Sequence, residues 1–474
     1  MLTILIVLAY FVLLFAVSRW TGRRATNETF FRADRRSPWA MVAFGMVGAS
    51  ISGITFVSVP GMVMRTQMTY LQTCMGFILG YVVVAFVLLP LYYRMHLISI
   101  YSFLKDRLGR MSHKTGASFF LLSKMAGAAL KFYVVCIILQ RFAFAPMGIP
   151  FAVTVTLLVL LIWLYTRRGG IKTLVWTDSL QTLCLFTALL LIIYKVTTDL
   201  GMSAGDAVKA VAQSDMSRIF VMDDWLSTQN FWKQFVSGIF IVIVMTGLDQ
   251  DMMQKNLTCR TLRDAQKDMC SYGLAFLPVN LLFLSLGVLL VMWYGQQGME
   301  LPSAGDELLP HFISLSSQFS ALTSVFVLGI VAASFSSADS ALTSLTTIYC
   351  VDICERSTDE ALRRQVHLLM CGAFVLFVLL FHVANSTSLI DAVYTIVSYT
   401  YGPLLGLFAF SLLTRRQVAD RWVPLVAVAS PVICFLADYG AGACWNYHFG
   451  YELLMLNGLL TFCGLWMLRV RKAS

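Results

Sequence analysis

Charged residues are scarce in this sequence. Aspartate, glutamate, lysine and arginine make up 13% of its 474 residues, whereas 58% are hydrophobic, and the mean hydropathy is +0.75. A water-soluble core of this length could not bury so much apolar side-chain surface. The sequence therefore predicts an all-α polytopic membrane protein.

Signatures of redox and catalytic sites are missing as well. The eleven cysteines stand mostly inside apolar runs, without a CxxC pair, which indicates packing and neither disulfides nor zinc. No HExxH or GxSxG motif and no paired histidines occur. We therefore expect a protein that is not an enzyme.

The N-terminus lacks the features of a secretion signal. The first apolar run, Leu2 to Val17, has no basic segment before it and no small-residue cleavage site, and Arg19, Arg23 and Arg24 follow it. This pattern predicts an anchor span with its N-terminus outside the cell.

Apolar runs of bilayer length predict about 13 transmembrane helices. They fall near residues 2–18, 41–63, 70–93, 117–146, 151–166, 174–197, 232–256, 270–294, 320–349, 366–384, 387–413, 421–437 and 451–468. The outward loops then hold only Arg65, Lys209 and Arg218, while the inward side is rich in lysine and arginine, and we count Lys255, at the end of the seventh span, with the inward loop. The positive-inside rule places the C-terminus in the cytoplasm, and the net charge of +10 implies no nucleic-acid partner.

No linker or separate soluble domain interrupts the chain. The long outward loops, 198–231 and 295–319, resemble short caps. We expect one membrane domain over residues 1–474, with a peripheral helix and cytoplasmic loop at 1–38, a first repeat at 39–199, a second repeat at 232–415 and two peripheral helices at 416–474.

Two spans contain a predicted break. The second, "VGASISGITFVSVPG", carries Gly48, Gly53 and Pro60, and the seventh, "IVMTGLDQDMMQ", places Gly247 and two aspartates at the end of an apolar run. Unwound backbone at membrane depth lines a cavity, where free carbonyls bind a cation. If the first span is peripheral, these are the first and sixth helices of a ten-helix core, as five-plus-five inverted repeats require. The alternative is that the glycines serve close helix packing.

A polar stripe follows one face of the ninth span, "IVAASFSSADSALTSL". Its members, spaced i, i+3, i+4, i+7 and i+11, are Ala333, Ser336, Ser337, Ser340 and Ser344, and Asp339 lies at the edge. Hydroxyl and carboxylate oxygens suit a small, hard cation such as sodium. Equally, the serines could join helices by hydrogen bonds while Asp339 pairs with a lysine in the membrane.

Four stretches carry a resemblance to a known family. These are "IYSFLKDRLG" (100–109), "GGIKTLVWTDSLQ" (169–181), "SFSSADSALTSLTTIYCVDIC" (334–354) and "YGPLLG" (401–406). In this order, the chain resembles the sodium:solute symporter family over almost its full length. The resemblance implies a LeuT-type inverted-repeat fold and sodium-coupled import by alternating access.

The resemblance also implies sodium ligands. The shared sodium site of the family corresponds to Gly48, Ile51, Ala333, Ser336 and Ser337. A second site, present in some members, corresponds to Asp178, Ser336, Ser340 and position 339. We therefore expect one or two sodium ions.

Position 339 departs from the family pattern, in which a neutral residue is usual. With Asp178 nearby, a second carboxylate would either tighten ion binding or carry a proton. Proton coupling through Asp339 or Asp178 is thus an alternative to sodium. For Asp178 a further alternative is a role as an N-terminal helix cap or at the membrane interface.

Two lysines lie within the fourth span. Lys124 and Lys131 are seven residues apart and share a helix face. Lys124 lies near the place where sialic acid transporters of the family hold a substrate carboxylate. It could instead form an ion pair with Asp339, Asp178 or Asp249, and Lys131 could extend outward to the interface.

The expected substrate is a small polar solute. The candidate binding residues are Ser52, Thr55, Gln72, Lys124 and Met245. Lys124 favours sialic acid or another carboxylate, with sodium-coupled sugar or amino-acid uptake as the alternative. We expect a functional monomer in the bacterial inner membrane whose ligands are sodium and this solute.

Overall fold

The computed structural model describes residues 2–23, 25–315, 320–384, 389–445, 447 and 449–470. Some predicted features lie outside these ranges: the basic residue Arg24, positions 316–319 of the second outward loop, the start of the span at 387–413, and the end of the basic tail.

Within the described ranges the secondary structure is helical. The α-helices are α1 (Leu2–Thr21), α2 (Asn27–Arg32), α3 (Trp39–Ser50), α4 (Gly53–Thr66), α5 (Tyr70–Val83), α6 (Leu89–Arg94), α7 (Ser102–Arg107), α8 (Arg110–Leu139), α9 (Phe151–Gly169), α10 (Ile171–Asp199), α11 (Ala204–Gln213), α12 (Phe231–Val242), α13 (Gln250–Asn256), α14 (Leu262–Gln296), α15 (Leu308–Leu315), α16 (Ser320–Ile348), α17 (Glu360–Ala384), α18 (Leu389–Leu413), α19 (Val423–Trp445) and α20 (Leu453–Met467). Short π-helical turns extend α5, α8, α12 and α16.

Apolar helices of bilayer length dominate the described chain. Nine are long enough to cross a membrane, and two bent helix pairs raise the number to eleven. The first and last predicted spans correspond to shorter apolar helices, Leu5–Thr21 and Leu453–Met467. The all-α membrane fold is therefore confirmed, and the total of about 13 spans stays a prediction.

Both predicted breaks are present. The helices Trp39–Ser50 and Gly53–Thr66 meet at 62°, and Phe231–Gly247 meets Gln250–Asn256 at 69°. Each break falls where glycine and polar residues interrupt an apolar run, because neither provides the side-chain packing that keeps a buried helix continuous.

The polar helix α16 lies at the centre of the bundle. In its most apolar window 78% of the residues are buried, against 22% for the helix Asp420–Cys444. Helix α10 packs against both α16 and α3. This packing brings Asp178, the polar stripe and the first break together.

Candidate functional site

The first break frees main-chain carbonyls inside the protein. Between α3 and α4, Ile51 is extended, with φ −84° and ψ 93°, and fully buried. The last carbonyls of a helix have no partner within the helix. Gly48 and Ile51, both predicted sodium ligands, lie in this segment.

The polar stripe of α16 faces the break. The Ser337 hydroxyl donates to the carbonyl of Ala49 at 3.0 Å and lies 3.3 Å from the carbonyl oxygen of Ala333. Three hard oxygens from two elements thus converge on one buried point, and oxygen ligands of this kind suit a sodium ion. Two of the predicted ligands, Ala333 and Ser337, thus meet the carbonyl of Ala49, which was not predicted, whereas the Ser336 hydroxyl donates to Asp178. The binding of sodium by the predicted set stays a prediction.

Two glycines permit the approach of α3 and α4 to their neighbours. A Cβ atom at Gly48 would overlap the hydroxyl of Thr182 in α10, and one at Gly53 would overlap the hydroxyl of Ser334 in α16. The packing alternative for these glycines is therefore also part of the structure, since the same residues bend the span and admit the polar helices.

Asp178 lies in the interior of α10, whose N-cap residue is Gly170. The helix-cap alternative for Asp178 is therefore wrong. Ser336 Oγ donates to Oδ1 at 2.7 Å, and Lys255 Nζ forms an ion pair with Oδ2 at 2.8 Å whose angles fall outside hydrogen-bond geometry.

Asp339 is fully buried next to this group. The Tyr165 hydroxyl donates to Oδ2. Neither Asp339 Oδ1 nor the Ser340 hydroxyl has a hydrogen-bond partner among the described residues. No lysine forms an ion pair with Asp339 in the described part of the chain. The membrane lysine that the alternative required pairs with Asp178 instead.

The prediction for Lys255 was wrong. It was assigned to an inward loop, but it lies in α13, the second half of the seventh span, and its side chain is 2% exposed. The end of an apolar run and the start of a loop look alike in sequence, so only the tertiary packing shows that this lysine is inside.

A cavity of about 140 Å³ lies between the two breaks. Four of the predicted substrate residues, Ser52, Thr55, Lys124 and Met245, contribute to its lining. Its aromatic lining comes from Tyr70, Phe77, Tyr81, Tyr272, Phe276 and Tyr401. An apolar wall with a few polar groups is typical of a small-molecule site.

The two lysines of α8 differ in their partners. Lys124 Nζ lies 3.0 Å from Asp249 Oδ2 and 2.7 Å from Asp251 Oδ2, which confirms the ion-pair alternative with Asp249. Lys131 also lines the cavity, and no ion pair to it occurs among the described residues. Its extension to the membrane interface stays an alternative prediction.

Gln72 lies outside the cavity lining. Its amide donates to the carbonyl of Gln229 at 2.9 Å and accepts from the backbone of Val221 at 3.1 Å. These contacts attach the loop 198–231 to α5, so both polar groups of the Gln72 amide already have protein partners.

The sequence reasoning missed two tyrosines of the site. Tyr401 donates to Asp249 Oδ2 at 2.7 Å, and Tyr165 donates to Asp339. Both lie in spans remote in sequence from their acceptors, and a buried tyrosine in an apolar run gives no local sign of its partner. The "YGPLLG" stretch that includes Tyr401 was the one available signal.

The chain is similar in sequence to known transport proteins. The model of the sodium:solute symporter family matches residues 30–420. The sodium/sialic acid symporter SiaT of Proteus mirabilis is 23% identical over 457 residues, which cover 93% of this chain and 90% of the relative.

The sodium-dependent multivitamin transporter of Oryctolagus cuniculus is 27% identical over 426 residues, or 86% of this chain. This chain spans 65% of the length of that relative. A solved structure of a Na⁺-coupled sialic acid symporter in a substrate-bound outward-open state superposes with a TM-score of 0.84 at 20% identity, covering 98% of this chain and 97% of the other. At this identity the likeness shows the fold.

Proposed function

This chain belongs to the sodium:solute symporter family, and from that premise we propose that it imports a small anionic organic solute together with sodium, by alternating access. The fold is of the LeuT type, in which solute and ions bind near the middle of the membrane where two helices are broken. The breaks at 62° and 69° lie on either side of one cavity, as that mechanism requires.

The observation that carries the proposal is the position of the Ser337 hydroxyl between the carbonyls of Ala49 and Ala333. Sodium bound here by the carbonyls of Gly48, Ile51 and Ala333 and the hydroxyls of Ser336 and Ser337 would connect α16 to the break. An ion that favours the same arrangement as the solute raises solute affinity, typically by 1–3 kcal/mol of coupling free energy.

The proposed solute carries a carboxylate. Lys131 lines the cavity without a direct ion pair among the described residues, and the carboxylates of Asp249 and Asp251 in the same lining pair with Lys124. An ammonium that lacks a direct partner at membrane depth is costly. A solute carboxylate would provide that direct partner. The SiaT relative, named for an acidic sugar, supports sialic acid or a similar sugar acid.

The remaining cavity residues would contact the rest of the solute. Ser52 and Thr55 offer hydroxyls, Met245 an apolar surface, and Lys124 is held in place by its two carboxylates. In place of Lys124, then, we propose Lys131 as the cation that binds the anionic group.

Proton coupling is the second candidate, and one observation favours it. Asp339 Oδ1 is buried with no hydrogen-bond partner among the described residues, so a proton there would spare the cost of a second buried charge beside Asp178. Uptake that depends on a pH gradient and is indifferent to sodium would select this candidate.

The proposed setting is the bacterial inner membrane. The distribution of basic residues supports an N-terminus outside and a C-terminus in the cytoplasm. We propose that the chain works as a monomer, with the repeats at 39–199 and 232–415 moving against each other and residues 1–38 and 416–474 at the periphery.

The test is uptake of labelled sialic acid and other small carboxylates into proteoliposomes, driven by an inward gradient of sodium or of potassium. We expect uptake with the sodium gradient and none with the potassium gradient. Lys131→Gln should raise the KM for the anionic solute about tenfold or more, while the matched control Lys209→Gln, on the exposed helix α11, changes nothing. Equal uptake with potassium would refute sodium coupling, and an unchanged KM in Lys131→Gln would refute the role of Lys131.

A further inference from the structure

A lysine occupies the cation position at the buried carboxylate of Asp178. Lys255 Nζ lies 2.8 Å from Asp178 Oδ2, and both side chains are at most 2% exposed. With Ser336 Oγ 2.7 Å from Oδ1, each oxygen of this carboxylate already has a charged or polar partner.

The free-energy cost of burying the ammonium of Lys255 and the carboxylate of Asp178 indicates that this pair has a function. Removing an ammonium and a carboxylate from water costs several kcal/mol for each ion, and mutual attraction repays that cost only in good geometry. All seven residues of α13 are buried, so Lys255 cannot reach water by extending its side chain.

We infer that Lys255 is a built-in counter-cation that takes the place of a second sodium ion, so the protein binds and carries one sodium ion per cycle. This inference rests on the proposed function and fixes its ion stoichiometry. A sodium ion at Asp178 would need the position and the negative charge that the ammonium uses. Asp178 therefore contributes no ligand to a second sodium site while Lys255 is in place.

The same lysine connects the ion region to the solute cavity. Its Nζ is 3.9 Å from Asp251 Oδ1, and Asp251 Oδ2 lies 2.7 Å from Lys124 Nζ at the cavity wall. Asp251 and Lys255 are four residues apart and share one face of α13. Charges of alternating sign thus run from Lys124 through Asp251 and Lys255 to Asp178 and the hydroxyl of Ser336. A sodium ion bound at Asp178 would leave this series of charges in every transport cycle. The ammonium of Lys255 stays, because it is covalently attached to the chain.

The inference is tested by counting bound sodium. Equilibrium dialysis of the purified full chain with radioactive sodium, in potassium-free buffer and without solute, should give one equivalent for the wild type. In Lys255→Gln the vacated carboxylate should recruit a second equivalent. The double variant Lys255→Gln/Asp178→Asn, which has lost both charges, should return to one. Lys209→Gln is the matched control and should bind one.

The outcomes separate this inference from the proposed function. Two equivalents in the wild type, one of them lost in Asp178→Asn, would overturn the inference and leave sodium coupling intact. A wild type that binds no sodium would overturn both. If Lys255→Gln fails to fold, the inference can still be tested by the ratio of sodium to solute taken up by proteoliposomes with the wild-type protein. One sodium ion per solute is expected, and two would contradict the inference.

Discussion

The hydroxyl of Ser337 donates to the carbonyl of Ala49, 3.0 Å away, although 288 positions of sequence separate the two residues. The donor belongs to a continuous helix of 29 residues, and the acceptor lies in the last turn of a helix that stops two residues later at an extended Ile51. A hydroxyl that rotates its proton away presents a lone pair, so an ion can replace the hydrogen bond without moving either helix.

Removal of this hydroxyl should weaken sodium binding. Ser337→Ala deletes one oxygen ligand, worth about 1–3 kcal/mol, so sodium affinity should fall about 10- to 100-fold. The measurement is a sodium titration of the thermal unfolding of the purified protein. Ser344→Ala is the matched control, because among the described residues the Ser344 hydroxyl donates within α16, to the carbonyl of Ala341 at 2.9 Å. An unchanged sodium affinity in Ser337→Ala would exclude this residue as a ligand.

Close packing at the first break predicts that the stability lost in Gly53→Ala is recovered by a second substitution at Ser334. Gly53→Ala would place its Cβ against Ser334 Oγ, with the next nearest atoms 3.6 Å away. Overpacking of this kind costs about 1–3 kcal/mol. The double variant Gly53→Ala/Ser334→Ala removes the overlap and should recover most of the free energy of unfolding, measured in detergent. Gly372→Ala, which has no atom within 4 Å of the new methyl, should be neutral. Failure of the rescue would mean that Gly53 is needed for its backbone freedom and not for space.

The two lysines of α8 should respond differently to the same substitution. Lys124→Met leaves Asp249 and Asp251 without their cation and should lower the free energy of unfolding by about 3–5 kcal/mol. Lys131→Met removes an ammonium with no ion pair among the described residues, so the free energy of unfolding should not fall and should rise as the cost of the buried charge disappears, while affinity for the anionic solute falls. Chemical denaturation of both variants measures the two free energies of unfolding. A large loss of stability in Lys131→Met would show that its charge has a structural partner.

A carboxylate from the C-terminal part of the chain caps α8. Asp420 accepts from the backbone of Met111 at 2.7 Å and from the backbone of Ser112 at 2.8 Å. Loss of a cap costs about 0.5–2 kcal/mol, so Asp420→Ala should lower the melting temperature. Asp223→Ala, which removes an exposed pair with Arg218, should have little effect. Equal melting temperatures would show that the cap contributes nothing to stability.

The architecture could be predicted from the sequence because the patterns that indicate it are local. Gly48, Gly53 and Gly247 mark breaks in otherwise apolar runs, and the serines of α16 repeat with the helical period, so each feature is legible within one span. The four π-helical turns had no such signal, since Val84–Leu88 and Ile243–Gly247 read as ordinary apolar helix. The first and last spans are close to the minimum length for crossing a membrane, so hydropathy alone does not fix the total number of spans.

The charged network was harder to predict because its members meet only after folding. Asp178 and Lys255 belong to different helices, and no spacing rule links them. Lys124 was correctly placed inside the bundle, yet its second carboxylate, Asp251, was identified only by the packing of α13. Gln72 reads as a polar residue in a span, but its partners come from the outer loop, whose conformation has no periodic pattern to predict.

Helix α13 has no lipid-facing or water-facing side, since each residue from Gln250 to Asn256 is buried. A short rod enclosed in this way has no free direction in which to tilt alone. Any rearrangement that opens the protein at α13 therefore moves the segments around it as well, and collective displacements of that size take microseconds to milliseconds. Turnover would then be paced by this concerted rearrangement, however quickly the ligands themselves arrive.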